Sequence, residues 1–271
     1  MFDSLWPDRF KHMKLVSLNI WGGQIFESLL EFIKEHASDA DIFCLQEVFQ
    51  SSSGVEVSHG ARMNILEDIK RLLPDFDVFV GWAQDNFDND GPVDFEVTTG
   101  LATLVRKPMK VLSPENIFIY GEKNGTNLED PTTMPANMLC TKIQAGEKAY
   151  MVCNIHAYAY PGDKLDTPGR LEQSQKIVNF LDKQKGNKIL CGDLNLMPGT
   201  ESLKILEKNM ENLVTTFNIP RTRSTLSLYY GTPDEQKFAD YILVSPDIKV
   251  SDFQVPNTPI SDHLPMILYF E

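Results

Sequence analysis

Positive charge is scarce in this chain, and what there is does not gather. Lys and Arg number 25 against 38 Asp and Glu, for a formal net charge of −13. The basic residues are scattered: Arg62, Lys70 and Arg71, then Arg106, Lys107 and Lys110, then Arg221 and Arg223. A protein that grips many backbone phosphates clusters Lys and Arg on one face. The composition therefore argues against tight nonspecific nucleic-acid binding and for no strong basic patch, while leaving room for a local site that holds one or two phosphates. Cysteine is scarce too. Cys44, Cys140, Cys153 and Cys191 each lie in an apolar strand-like run, and none is spaced as C-x-x-C. They read as small core residues, not as a zinc set or a disulfide frame, and a reducing compartment, the cytoplasm, is the expected location.

Other absences bound the architecture. No apolar run approaches the ~18 residues of a membrane span, so no transmembrane segment is expected. Residues 1–12 mix charges with aromatics instead of forming a signal peptide. No linker rich in Ser, Gly or Pro, no solenoid period and no low-complexity run divides the chain. One domain over 14–271, preceded by an N-terminal extension at 1–13, and a monomeric state are expected. The 42% of hydrophobic residues suffices for a sizeable core.

What is present is a series of short apolar strands that end in polar residues. Residues 14–21 break at Gly22-Gly23 with Asn19 near the end, and 41–47 finish in Gln46 and Glu47. Residues 149–156 end in His156 and pair with 137–143 through a turn at Ala145-Gly146-Glu147. Residues 188–195 deliver Asp193 and Asn195, which alternation places on one side roughly 7 Å apart. Gly192 would allow close approach of a ligand there. A strand over 237–244 carries Asp240, and the last strand, 264–270, is entered through Asp262 and His263. Helices are expected at 24–36, at 63–73 before Pro74, at 201–208, and from Thr167-Pro168, where a capping residue precedes a proline. Residues 100–105 and 111–120 look like neighbours in a meander, and the acidic 85–94 stretch like a mobile surface loop. The segment 213–231 has no clear pattern, although Tyr229-Tyr230 could stack on a base or sugar. Two packed, mainly antiparallel sheets covered outside by helices would use all of these elements: an α/β fold in four layers, αββα.

Each polar strand end alone is weak, but strands converging in one sheet place their ends on a common rim. Taken together, Asn19-Ile-Trp-Gly22, Leu45-Gln-Glu47, Asn154-Ile-His156, Gly192-Asp-Leu-Asn195, Asp240-Tyr-Ile-Leu-Val244 and Ser261-Asp-His263 resemble, in order and spacing over 14–271, the endonuclease/exonuclease/phosphatase superfamily. The resemblance implies the four-layer αββα sandwich and a phosphoesterase assisted by Mg²⁺ or Mn²⁺. It implies Glu47 as the principal metal carboxylate, with Asn19 and Asp262 in or near the metal's shell, and Asp193 as the base that activates water. Asn195 and His156 would contact phosphoryl oxygens, and His263, tuned by Asp240, would face the phosphate opposite the metal.

His156, where apurinic-site endonucleases resemble one another in having Tyr, favours the deoxyribonuclease-like branches. Many relatives carry an Arg just before the strand at 137–143, where this chain has Met134-Pro-Ala-Asn137. The expected substrate is a phosphodiester, of nucleic acid or a nucleotide-like end. A phosphomonoester or a phospholipid headgroup, and a catalytically silent binding module, are the alternatives.

Overall fold

Strand β1 (Met13–Asn19) is buried at every position, which a strand achieves only when both faces of its sheet are covered. The computed structural model describes residues 12–271, so all but the last two residues of the expected extension at 1–13 lie outside the described residues. Met13 itself belongs to β1 and pairs with Phe270. After β1 come α1 (Phe26–His36), β2 (Ile42–Gln50), a small hairpin of β3 (Val57–Ser58) and β4 (Ala61–Arg62), and α2 (Ile65–Leu72). Then follow β5 (Phe76–Asp85), β6 (Thr98–Arg106), β7 (Lys110–Tyr120), β8 (Ala136–Ala145), β9 (Lys148–His156) and α3 (Pro168–Leu181). The chain closes with β10 (Asn187–Asp193), α4 (Glu201–Glu207), β11 (Glu211–Asn212), α5 (Leu213–Thr216), β12 (Asp240–Val244), β13 (Val250–Gln254) and β14 (Met266–Phe270).

Two six-stranded sheets result, in the orders β13-β14-β1-β2-β6-β5 and β11-β12-β10-β9-β8-β7. Each holds one parallel pair, β1 with β2 and β9 with β10, and a helix, α1 or α3, makes the crossover that a parallel pair requires. Neighbouring residues of β1 serve different cores. Leu15 joins the cluster containing Ile189, Cys191 and Tyr241, while Val16 and Leu18 pack with Leu29, Phe32 and Ile33 of α1 and with Ile65 and Ile69 of α2. Each such side chain removed from water contributes about 1.5–3 kcal/mol. Thr167 caps α3 by accepting a hydrogen bond from the Arg170 amide at 3.2 Å, as the Thr-Pro start predicts.

Two expectations are corrected. β6 and β7 are not neighbours: both edges of β6 are occupied by β2 and β5, so β7 pairs instead at the edge of the other sheet. Cys140 and Cys153 are not free core thiols. The β8–β9 register sets them directly opposite with Cα atoms 4.1 Å apart, and a disulfide joins them. Cysteine usage therefore no longer argues for a reducing compartment. Cys44 and Cys191 are buried and free; burial, then the neighbouring Cys191 thiol, push the Cys44 thiol well up. Among the described residues, no helix is long and apolar enough to cross a membrane.

Candidate active site

Strand direction, more than any single motif, gathers the polar residues. In the parallel pairs, Asn19 lies beside Gln46 and His156 beside Asp193. β12 runs antiparallel to β10 and so begins where β10 ends, with Asp240 opposite Asp193. β14 is antiparallel to β1, which brings the Asp262-His263 segment entering it to the same rim. One pocket of about 320 Å³ there is lined by Glu47, His156, Asp193, Asn195, Asp262 and His263, with Trp21, Met134 and Tyr160 at other parts of its wall. Asn19 and Asp240 stand behind this lining, both buried.

Glu47 does not end a strand. β2 continues to Gln50, and its register with β6 shifts between Leu45 and Val48, where Glu47 has φ +55°. A bulge of this kind re-aims a side chain out of the ladder, and a left-handed glutamate stores about 1 kcal/mol or more of strain. Its Oε1 accepts from Asn19 Nδ2 at 2.8 Å, while Asn19 Oδ1 accepts from the Trp21 amide at 3.0 Å.

Asp193 sits at the centre. Its Oδ2 lies 3.3 Å from Asn19 Nδ2, 3.8 Å from His156 Nε2 and 3.7 Å from His263 Nε2. Burial alone would raise this carboxylate's pKa. The charges of His263, His156, Lys164 and Arg223 outweigh burial and hold it below the usual range, so it stays ionised.

The strand alternation expected to carry Asn195 beside Asp193 stops short. β10 ends at Asp193, and Asn195 has φ +49°. The Asn195 amide nitrogen donates to Asp193 Oδ1 at 2.9 Å, and its Nδ2 donates to Ala157 O at 3.1 Å. The Asn195 backbone thus closes on the Asp193 carboxylate through a turn, while its side chain is held by Ala157 O. Gly192 is also corrected: a Cβ there would lie 2.2 Å from the Ile155 carbonyl oxygen, so the glycine accommodates the neighbouring strand and not a ligand.

Asp240 and His263 form a buried pair, with both carboxylate oxygens, at 2.8 and 2.9 Å, on His263 Nδ1. That partner assigns the proton to Nδ1 and turns Nε2 toward the pocket. Burial and Arg223 lower the His263 pKa, but Asp240, Asp262 and Asp193 together raise it.

Two motif residues read as parts of strand ends hold the sheets together instead. Gln46 Nε2 donates to Asn154 Oδ1 at 2.7 Å, and Asn154 Nδ2 donates to the carbonyls of Leu45 at 3.1 Å and Ala102 at 3.0 Å, all buried. Asn154→Leu fills similar space but strands these partners. It is expected to cost about 2–4 kcal/mol, measured as a lower denaturant midpoint at unchanged slope.

Sequence reasoning missed two cations. Arg223 lies in the unpatterned 213–231 segment, yet bridges His263 through backbone pairing and places Nη1 against His263 Nε2. Its Nη2 donates to Asp262 Oδ2 at 2.7 Å and to Ser227 Oγ at 3.3 Å. Lys164 is only 9% exposed, in a left-handed turn with φ +60°. The acidic 85–94 loop also differs from expectation: it lends Asp88 and Asn89 to the pocket wall, and Asp88 is buried against Ser58 Oγ and His59 Nδ1, both at 2.6 Å.

The donor set suits a hard cation around Glu47. Among the described residues Glu47 Oε2 has no hydrogen-bond partner, its carboxylate faces the pocket, and Asp193 and the Asn19 amide adjoin it. Asp262 reaches such an ion only by sharing its carboxylate with Arg223. Asp193, Asp240 and His263 also lie close enough to hold a metal. Both His263 nitrogens and both Asp240 oxygens are already engaged there, which favours a hydrogen-bonded relay over a cage.

The family model for the Endonuclease/Exonuclease/phosphatase family matches residues 16–263. Comparison with curated proteins finds no match. Solved structures share the fold at low identity. A family protein from Leptotrichia buccalis is 17% identical at TM-score 0.70, over 96% of this chain and 99% of that one. A mannosyl-6-phosphatase from Bacteroides thetaiotaomicron is 15% identical at TM-score 0.68, with 96% and 99% covered. TDP2 from D. rerio, complexed with a single-strand DNA product, is 14% identical at TM-score 0.67, again with 96% and 99% covered.

Proposed function

We propose that this chain, which belongs to the endonuclease/exonuclease/phosphatase family, hydrolyses a phosphoester by in-line attack of a water that Asp193 orients and deprotonates. The observation that carries this reading is the position of Asp193: an ionised, buried carboxylate within 4 Å of Asn19, His156 and His263 at the mouth of one pocket. Asn19 Nδ2 fixes the carboxylate by donating to Oδ2 at 3.3 Å, and that oxygen keeps a second lone pair to accept a proton. His156 Nε2, on the exposed side of Asp193, donates to a phosphoryl oxygen, and the second N–H of Asn195 Nδ2 does the same. Asp240 holds the ring of His263 through Nδ1–H, and as the imidazolium His263 donates from Nε2–H to a phosphoryl oxygen, in place of the Arg223 donor that Nε2 accepts in the free protein, and so stabilises the charge that develops as the fifth oxygen approaches phosphorus.

Family members generally depend on a divalent metal, and Mg²⁺ or Mn²⁺ fits the oxygen donors here. Glu47 would hold it, with Asn19 and Asp262 adjoining, and the ion would supply Lewis-acid polarisation of the phosphoryl oxygens. Trp21, Met134 and Tyr160 leave an aromatic and apolar wall for the group esterified to the phosphate. A phosphodiester of nucleotide-like character fits that wall. A phosphomonoester is the second reading, favoured by Arg223, which lines the pocket against His263 and Asp262.

Initial rates on bis-p-nitrophenyl phosphate and p-nitrophenyl phosphate, with Mg²⁺ and then with excess EDTA, test the reaction class. Release from at least one ester, abolished by EDTA and restored by added Mg²⁺, is expected. Turnover of neither ester, as a silent binding module would give, contradicts the proposal.

A further inference from the structure

We infer that Gln84, Thr99 and Asn137 form a subsite for the hydroxyl groups of a sugar or polyol esterified to the phosphate. The inference rests on the phosphoester reading of the same pocket and names the chemistry of the group beside the phosphorus.

Three strands present these side chains at the seam between the two sheets. Asn137 of β8 stands opposite His156 of β9, and Gln84 of β5 stands opposite Thr99 of β6. The Gly81 carbonyl joins the two places: its oxygen accepts from Asn137 Nδ2 at 2.9 Å, and a Cβ on Gly100 would lie 2.2 Å from it. Gly100 in turn pairs with Val48, next to the bulge that carries Glu47. Gln84, Thr99 and Asn137 all line the pocket that holds the catalytic cluster. Their subsite therefore adjoins the edge of the phosphoryl position where His156 Nε2 lies 3.9 Å from Glu47 Oε1.

These side chains have hydrogen-bonding capacity to spare. Gln84 is 6% exposed and Asn137 1%. Both hydrogens of Asn137 Nδ2 are spent, on Gly81 O and, at 2.8 Å, on Asn116 Oδ1. The amide is thereby locked, and its Oδ1 is an acceptor with no partner among the described residues. Gln84 Oε1 accepts from Thr126 Oγ1, which leaves both hydrogens of Gln84 Nε2 without a partner among the described residues, as is the Thr99 hydroxyl. Buried amides left open in this way cost free energy unless a ligand or water meets them.

A fixed acceptor beside free donors selects the ligand. A phosphate or carboxylate only accepts and would turn lone pairs on Asn137 Oδ1, whereas an ammonium only donates and would turn hydrogens on Gln84 Nε2. A hydroxyl does both. The wall also offers no charge to an ion. Among the described residues that line the pocket from 83–100 and 134–137, Asp88 alone is ionisable, and Ser58 Oγ and His59 Nδ1 engage its carboxylate, both at 2.6 Å. Met134 and Tyr160 supply apolar surface for the carbon skeleton.

Initial rates with Mg²⁺ on four p-nitrophenyl diesters that share their leaving group test the subsite. The second ester group is methyl, 2,3-dihydroxypropyl, 2′,3′-dideoxyuridine 5′ or uridine 5′. The dihydroxypropyl and methyl pair reports an open-chain polyol, and the uridine and dideoxyuridine pair reports a ribose. In at least one pair the hydroxylated ester is expected to have kcat/KM higher by about tenfold or more. Gln84→Met and Thr99→Val keep the side-chain volumes and are each expected to cut that ratio about threefold or more. Should Gln84→Met fail to give a cooperative thermal transition, Thr99→Val, whose hydroxyl has no partner to lose, carries the comparison.

No preference for the hydroxylated ester in either pair, or ratios unchanged in the folded variants, overturns the inference. Equal gains for both uridine esters over the methyl ester, with none for dihydroxypropyl, mark recognition of the base and overturn it as well. If the wild type turns over none of the four, the hydrolase reading fails. Calorimetric titration of the full chain with glycerol 1-phosphate against methyl phosphate, and with uridine 5′-monophosphate against its dideoxy form, then decides the subsite: tighter binding of a hydroxylated ligand supports it, and equal or absent binding overturns it.

Discussion

Asp193→Asn is expected to keep the fold and lose phosphoester hydrolysis by about 10²–10⁴-fold in kcat, with KM changed far less. The amide has the shape of the carboxylate, and its oxygen can still accept from the Asn195 backbone N–H, now at 2.9 Å to Asp193 Oδ1. It cannot take a proton from water. Far-UV circular dichroism should match the wild type while turnover collapses, a separation that simple misfolding would not give.

A second signature follows from charge. The cations around Asp193 hold its pKa below the usual value. A carboxylate depressed on folding contributes stability that is fully present above its unfolded pKa, about 3.9, and is lost as pH falls through the lower folded value. The stability of the wild type relative to Asp193→Asn should therefore shrink as denaturation is measured from neutral pH to below about pH 4.

Gly192→Ala should be among the most damaging substitutions for stability, although it adds one methyl. The backbone at Gly192 has φ +131°, where a side chain is strained, and the new Cβ would meet Ile155 O of β9 at 2.2 Å. Neither strand can yield without breaking the parallel register that sets His156 beside Asp193. Strain and overpacking together are expected to cost about 3–5 kcal/mol. Chemical denaturation measures this loss, and a midpoint within error of the wild type would show that β9 and β10 can part more easily than their register implies. Any loss of turnover in folded Gly192→Ala should track displacement of His156 and Asp193 from each other.

Much of the architecture is legible in the sequence because apolar strands and amphipathic helices leave local signatures. The Thr167-Pro168 start, the hairpin around Gly146-Glu147 and the polar residues at the ends of β1, β9 and β10 are all local features. Pairing is another matter. Residues 100–105 and 111–120 are consecutive apolar strands, and nothing local says that β2 already occupies the edge of β6 where a meander would continue.

The disulfide was nearer to legibility than its reading suggests. Cys140 and Cys153 are equidistant from the Gly146-Glu147 turn, so a correctly drawn hairpin sets them opposite each other. Spacing rules for metal-binding cysteines do not look for that symmetry.

The site divides along the same line. Asp193, Asp240, His156 and His263 announce themselves as polar ends of apolar runs, and strand direction brings them to one rim. Gln46 and Asn154 have the same appearance in the sequence, yet they bond each other in the interior between the two sheets, deeper along their strands than the rim. Arg223 and Lys164 lie in irregular segments, where no periodicity marks an inward-facing side chain. Only the bridge of Arg223 to His263 and the burial of Lys164 reveal them.

The central claim, that Asp193 activates water for metal-assisted phosphoester hydrolysis, is tested most directly by turnover of the two nitrophenyl esters across a Mg²⁺ titration, wild type beside Asp193→Asn. Saturable Mg²⁺-dependent release by the wild type, with the variant slower by about two orders of magnitude or more at every metal concentration, is the expected result. Release that persists in EDTA, or an Asp193→Asn protein working at close to the wild-type rate, would contradict it.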